Sequence, residues 1–130
     1  MATITKRGLQ PAAASAEVTG VLVVVTATAW AGDASVGTAI HEASSDTDHF
    51  DEIWLWASNF NTSTETLVLQ WGTKAQQIGH FTTTINPNET VLVAPGWVLK
   101  GASTELLVTA FSTTANKVNI TGYVNRIDQS

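Results

Sequence analysis

From Val91 to Ile127 the chain reads VLVAPGWVLKGASTELLVTAFSTTANKVNITGYVNRI, three runs of β-branched and apolar residues separated by two turn-forming breaks. Such a stretch is built to pair strands. At Pro95-Gly96 a tight turn is expected, because Pro presets φ near −65° and Gly tolerates positive φ. Leu106 to Phe111 and Val118 to Val124 are separated by a polar connection of hairpin length, Ser112-Thr113-Thr114-Ala115-Asn116.

The same alternation runs through the rest of the chain. Val18 to Thr26 reads as a strand apolar on both faces, which places it deep in the core. Between Ala31 and His49 the pattern weakens into a long loop, with a short strand at Val36 to Ile40. At Ile53-Trp54-Leu55-Trp56-Ala57, period two puts Ile53, Leu55 and Ala57 on one face and Trp54 with Trp56 on the other. Asn59 to Ser63 turns the chain, and Thr66 to Trp71 answers as a hairpin partner with Leu67, Leu69 and Trp71 on one face. Gln77 to Ile85 gives a further strand before the turn at Asn86-Pro87-Asn88. About eight strands, with no sustained helical period, predict an all-β chain folded as a single β-sandwich. Residues 1–16, with Pro11 and a short Ala/Ser stretch, read as an extended N-terminal arm, and residues 17–130 as the sandwich domain.

Composition narrows the functional classes. Only 13% of the 130 residues are charged against 44% hydrophobic, well under the roughly 25% charged residues of an average soluble domain. A surface so poor in charge is covered by Thr, Ser, Asn and Gln, or by another chain. The net charge of −5 with six scattered Lys and Arg argues against direct nucleic-acid binding by phosphate neutralisation. The absence of cysteine excludes disulfides, thiolate metal sites and thiol nucleophiles. The apolar run Val21 to Val25 is too short to span a bilayer, so no membrane role is expected, and no signal sequence is apparent.

The most site-like segment is His41 to Glu52, which holds five of the eleven acids and two of the three histidines. Its spacing matches neither a calcium loop nor a HExxH helix, so a solvated loop is favoured over a metal site, with a pH-sensitive contact through His41 and His49 as a lesser alternative. No nucleophile elbow, phosphate loop, dinucleotide fingerprint or paired carboxylates in a cleft stand out, so no catalytic residue, cofactor or metal is assigned and the chain is not expected to be an enzyme. Trp54, Trp56 and Trp71 lie within strands, where packing between sheets or subunits is their expected use. Trp30 and Trp97, at a strand end and just after a break, can instead present a ring to a protein partner or to a sugar. Lys6 and Arg7, the only adjacent basic pair, give the arm a means of docking on an acidic neighbour.

The segments Asp51 to Asn59, Leu67 to Gly72, Val91 to Pro95 and Phe111 to Ile127 together resemble small virion proteins of tailed bacteriophages, the head decoration or cement proteins, and Ile4-Thr5-Lys6-Arg7-Gly8-Leu9 is similar in style to their start. The resemblance covers most of the chain after Asp51, while the loop from Ala31 to His49 has no counterpart in it. It implies a β-sandwich, the jelly roll being one form open to it, that assembles as a homo-oligomer, often a homotrimer. Such a protein is made in the host cytoplasm and sits on the capsid surface of the virion, bound to the major capsid protein. The expected function is then head stabilisation as a structural protein. The alternative is a phage tail or head-fibre domain that binds host surface glycan through Trp30 or Trp97.

Overall fold

The computed structural model describes residues 2–11, 23–28, 37–72, 80–102 and 106–130. Among them it forms nine strands and no helix: β1 (Thr3–Arg7), β2 (Val23–Val24), β3 (Thr38–Glu42), β4 (His49–Asn59), β5 (Glu65–Gly72), β6 (His80–Ile85), β7 (Thr90–Lys100), β8 (Leu107–Ser112) and β9 (Val118–Asp128). The chain is all-β, and two antiparallel sheets pack face to face as a β-sandwich. One sheet runs β1-β9-β4-β7, with β2 also paired to β9; the other runs β3-β8-β5-β6.

Alternation along β4 explains why the sheets close on each other. From Phe50 onward its burial switches at every step, so that Asp51, Ile53, Leu55, Ala57 and Asn59 face inward. Leu67 and Leu69 of β5, Val108 and Ala110 of β8, Ile120 and Val124 of β9 and Ile40 of β3 meet this stripe in one core. Each fully buried Leu or Ile contributes about 2 kcal/mol relative to an exposed one. Where β9 crosses β4, a Cβ on Gly122 would come within 1.9 Å of the Trp54 carbonyl oxygen, so only glycine permits that approach.

Several local expectations are corrected. Pro95-Gly96 is not a turn; it lies inside β7, where Trp54 pairs with Pro95 and Ile53 with Trp97, leaving Gly96 as an extra residue in a bulge. Gly96 has a φ of 75°, and a bulge needs that freedom as much as a turn does. The connection after Ser112 does not close a hairpin, because β8 pairs with β3 and β5 while β9 pairs with β4, β1 and β2. Nor are β4 and β5 hairpin partners, since they belong to opposite sheets. Chain direction and propensity are the same whether two strands pair or cross the core, so connection length alone does not separate the cases. The turn at Asn86 does hold: Glu89 N–H donates to the Asn86 carbonyl, with Pro87 in the first corner and Asn88 at φ 60° in the second.

Of the strand expected at Val18 to Thr26, residues 18–22 lie outside the described residues. The remainder contributes only a two-residue strand at the edge, with Val25 buried and Val24 exposed. Residues 3–10, expected within the arm, lie against the sandwich: β1 pairs with β9 from Thr3 to Arg7, and Leu9 is buried in the core.

Candidate binding interface

Residues opposite one another in an antiparallel ladder share a face. The register therefore assembles the outer surface of the five-stranded sheet: Phe50, Glu52, Trp54 and Trp56 from β4; Tyr123, Asn125 and Ile127 from β9; Lys100, Val98, Pro95 and Leu92 from β7; Ile4 and Lys6 from β1. Of the exposed large hydrophobic side chains, four lie on this one surface, namely Ile4 at 69%, Val98 at 54%, Leu92 at 45% and Val24 at 38% exposure. Solvated sheet faces are normally polar.

An aromatic row crosses the middle of the surface. Trp54 stacks on Tyr123 with centroids 6.4 Å apart and planes 13° from parallel, and Trp56 lies 6.2 Å from the same ring. Lys6 Nζ sits 4.6 Å from the Tyr123 centroid on the far side. Gly96 leaves room for Trp54, since a Cβ there would come within 2.9 Å of its Cζ2. Trp54 Nε1 donates to Glu52 Oε1 at 2.9 Å, and Asn125 Nδ2 donates to the same oxygen. These bonds hold the Glu52 carboxyl below its ordinary range and fix the indole. Rings held this way lose little side-chain freedom when a partner covers them.

The surface has the size of one side of a protein interface. Four strand widths of about 4.8 Å by eleven residues of about 3.3 Å give on the order of 700 Å², against about 800 Å² per partner in a standard complex.

A second group lies behind the sheet, at the end of the core. His41 and Asp51, close in sequence, are both buried and meet at 2.7 Å, Nε2 donating to Oδ2. Arg126 grips the same carboxylate in a bidentate pair, with Nε 2.7 Å from Oδ1 and Nη2 2.9 Å from Oδ2. Burial, the largest influence on Asp51, raises its pKa, but hydrogen bonds from Arg126 and His41 and the charge of both neighbours outweigh it and bring the carboxyl down to about 2. Gln10 N–H donates to His41 Nδ1 at 3.1 Å, so both ring nitrogens are engaged and the group ties β3, β4, β9 and the N-terminal segment together. A hollow of about 220 Å³ beside it is lined by Arg7, Gln10, Glu42, Ser44, Ser45 and Arg126 among others. The rest of the His41 to Glu52 segment goes elsewhere: His49 Nδ1 meets Ser44 Oγ at 2.7 Å, and its Nε2 lies 3.5 Å from Asp46 and 3.6 Å from Asp128. Among the described residues, no three His, Cys, Asp or Glu side chains gather as a metal ion would require.

The residues singled out from sequence are thus dispersed. Lys6 is on the outer surface, whereas Arg7 points to the hollow. Trp97 faces inward at the β7 edge, where its ring lies 4.3 Å from Phe81 and 5.5 Å from Trp71. Trp30 lies outside the described residues. Trp54, Trp56 and Tyr123 were not singled out as contact residues, although period two already put both indoles opposite the Ile53-Leu55-Ala57 stripe. What strand periodicity lacks is any sign of whether a second layer covers that side. No family model, curated protein or solved structure matches the chain.

Proposed function

We propose that this chain is a capsid decoration protein of a tailed bacteriophage, which binds the outside of the major-capsid lattice as a homotrimer and stabilises the head. The observation that carries this reading is the aromatic and apolar row on the outer surface of the five-stranded sheet, with Trp54, Trp56 and Tyr123 at its centre, Ile4, Leu92 and Val98 exposed around them, and Lys6, Glu52 and Lys100 among them. Contiguous apolar patches of that extent on a small protein mark a surface made to be covered. The phage assignment itself comes from the resemblance of the strand segments. The strand order adds support: β2-β9-β4-β7 opposite β3-β8-β5-β6 is the order produced by two nested Greek keys, the jelly roll common among viral capsid and lectin domains. Adhesion of this kind needs no active site, because many copies each adding interface energy stabilise a shell by mass action and avidity.

The test is to compare heads carrying the chain with heads lacking it. Bare heads are expected to assemble yet release their DNA at a lower temperature, and the purified chain should restore the difference, whereas a Trp54→Ala/Trp56→Ala chain should remain folded but fail to bind. Equal release temperatures with and without bound chain would overturn the proposal.

The second reading, a tail or head-fibre domain that binds host glycan, is favoured by one feature. Phe81, 41% exposed, and Trp97 form an aromatic edge between β6 and β7 that a sugar ring could stack on. Glycan-array binding abolished by Trp97→Ala, in a chain that does not bind heads, would select it.

A further inference from the structure

We propose that His41 is an acid-operated latch on the N-terminal strand. The ring is fully buried, and its two nitrogens play opposite roles: Nε2 donates to Asp51 Oδ2, and Nδ1 accepts the backbone N–H of Gln10. An imidazolium has a proton on both nitrogens and can accept from neither. Protonation therefore keeps the Asp51 bond, now charge-assisted, but sets Nδ1–H against Gln10 N–H. Two donors facing each other lose that hydrogen bond, and the buried ring then carries an Nδ1–H aimed at another donor. The side that can move is the N-terminal segment, because Asp51 is held from behind by both nitrogens of the Arg126 pair.

The surroundings make this contact a fastening point. Gln10 is held on β3 by the bond from Glu42 N–H to its carbonyl, and Leu9 beside it is buried. Before them, β1 is exposed from Thr3 to Lys6 and is held by its ladder with β9. Among the described residues, the charged groups around the ring are Asp51 on β4, Arg126 on β9, Arg7 on the N-terminal segment and Glu42 next along β3, while β8 places Val108 opposite. A proton on His41 completes a cation–anion–cation row with Asp51 and Arg126.

The experiment needs no partner, so its outcome is independent of the capsid assignment. Amide exchange, corrected for intrinsic rates, is followed together with the His41 ring ¹⁵N shifts as the pH is lowered from about 7.5 to about 5. The Gln10 amide is expected to lose protection on the order of tenfold, the size of one lost hydrogen bond, at the same midpoint as the ring, while the amides of Leu55 and Val124 stay protected. In a His41→Gln chain, whose side chain can still donate to Asp51 and accept from Gln10 without titrating, Gln10 should stay protected throughout. If that variant does not fold, the wild-type midpoints alone decide. A ring that protonates while Gln10 keeps its protection, or one that stays neutral until Leu55 and Val124 open, would overturn the latch. So would a folded His41→Gln chain that releases Gln10 at the wild-type midpoint.

Discussion

The two faces of β4 are made by one stretch of eleven residues and do opposite work. Inward, Ile53, Leu55 and Ala57 are fully buried and the row is closed at each end by a buried, hydrogen-bonded polar residue. At one end Asp51 holds His41 and Arg126. At the other, Asn59 Nδ2 donates to the carbonyls of Ser63 and Ile85, and its Oδ1 accepts from Asn61 N–H. Outward, Trp54 and Trp56 are half-buried, both rings packed on Tyr123 and Trp54 also close to Gly96. The difference teaches that apolar content alone does not locate a core. A side chain belongs to the core only when a second layer covers it.

The sharpest way to break the comparison is Asp51→Ala. It leaves the Arg126 guanidinium and buried His41 without their shared anion, and the expected loss is about 4 kcal/mol in chemical denaturation. A loss below about 1 kcal/mol would mean that the end of the core is not held by this group. Next comes Leu55→Ala, expected to cost about 3 kcal/mol because a fully buried side chain leaves a cavity between the sheets.

Acid should sharpen the same contrast. Asp51 has its folded pKa depressed from 3.8 to about 2, so its contribution is complete above the unfolded value and disappears as pH falls from about 4 toward about 2. The loss is on the order of 2 kcal/mol. Glu65, buried at the Asn59 end, shifts in the same direction. Burial raises it, but hydrogen bonds from Asn61 and Thr114 and the charge of Lys117 prevail. Denaturation midpoints measured across this range should fall in wild type and fall less in an Asp51→Asn chain. The smallest effect on stability is expected from Trp56→Ser on the outer row, below about 1 kcal/mol as for most surface changes. If the chain has the proposed capsid role, the same change should weaken its attachment to heads, which co-sedimentation would read. If Trp56→Ser destabilised the isolated chain as much as Leu55→Ala, the outer row would have to be counted as core.

Much of β4 was legible in the sequence, since alternation from Ile53 to Ala57 tells the two faces apart without any knowledge of the fold. The turn at Asn86-Pro87-Asn88 was legible for a similar reason, as its residue types satisfy a local dihedral requirement. Pro95-Gly96 misled because a bulge inside a strand makes the same demand as a turn between strands. The connections after Asn59 and Ser112 misled because crossing from one sheet to the other takes no more residues than doubling back. Residues 3–7 carried too little apolar pattern to reveal that they would find an edge on β9. His41, Asp51 and Arg126 looked like members of an acidic loop and a distant strand, with no spacing that joined them.

By itself, then, the sequence determined the class of structure: β-branched and aromatic residues in period two, scarce charge and turn residues at intervals leave little but a sandwich of antiparallel strands. Packing alone sets which strands are neighbours, how Asp51 comes to be shared by residues 10 and 75 positions away, and which apolar side chains stay exposed among the described residues. The reason is physical. Dihedral preference and alternation act over a few residues, whereas pairing and coverage depend on contacts between segments whose separation along the chain carries no local signature.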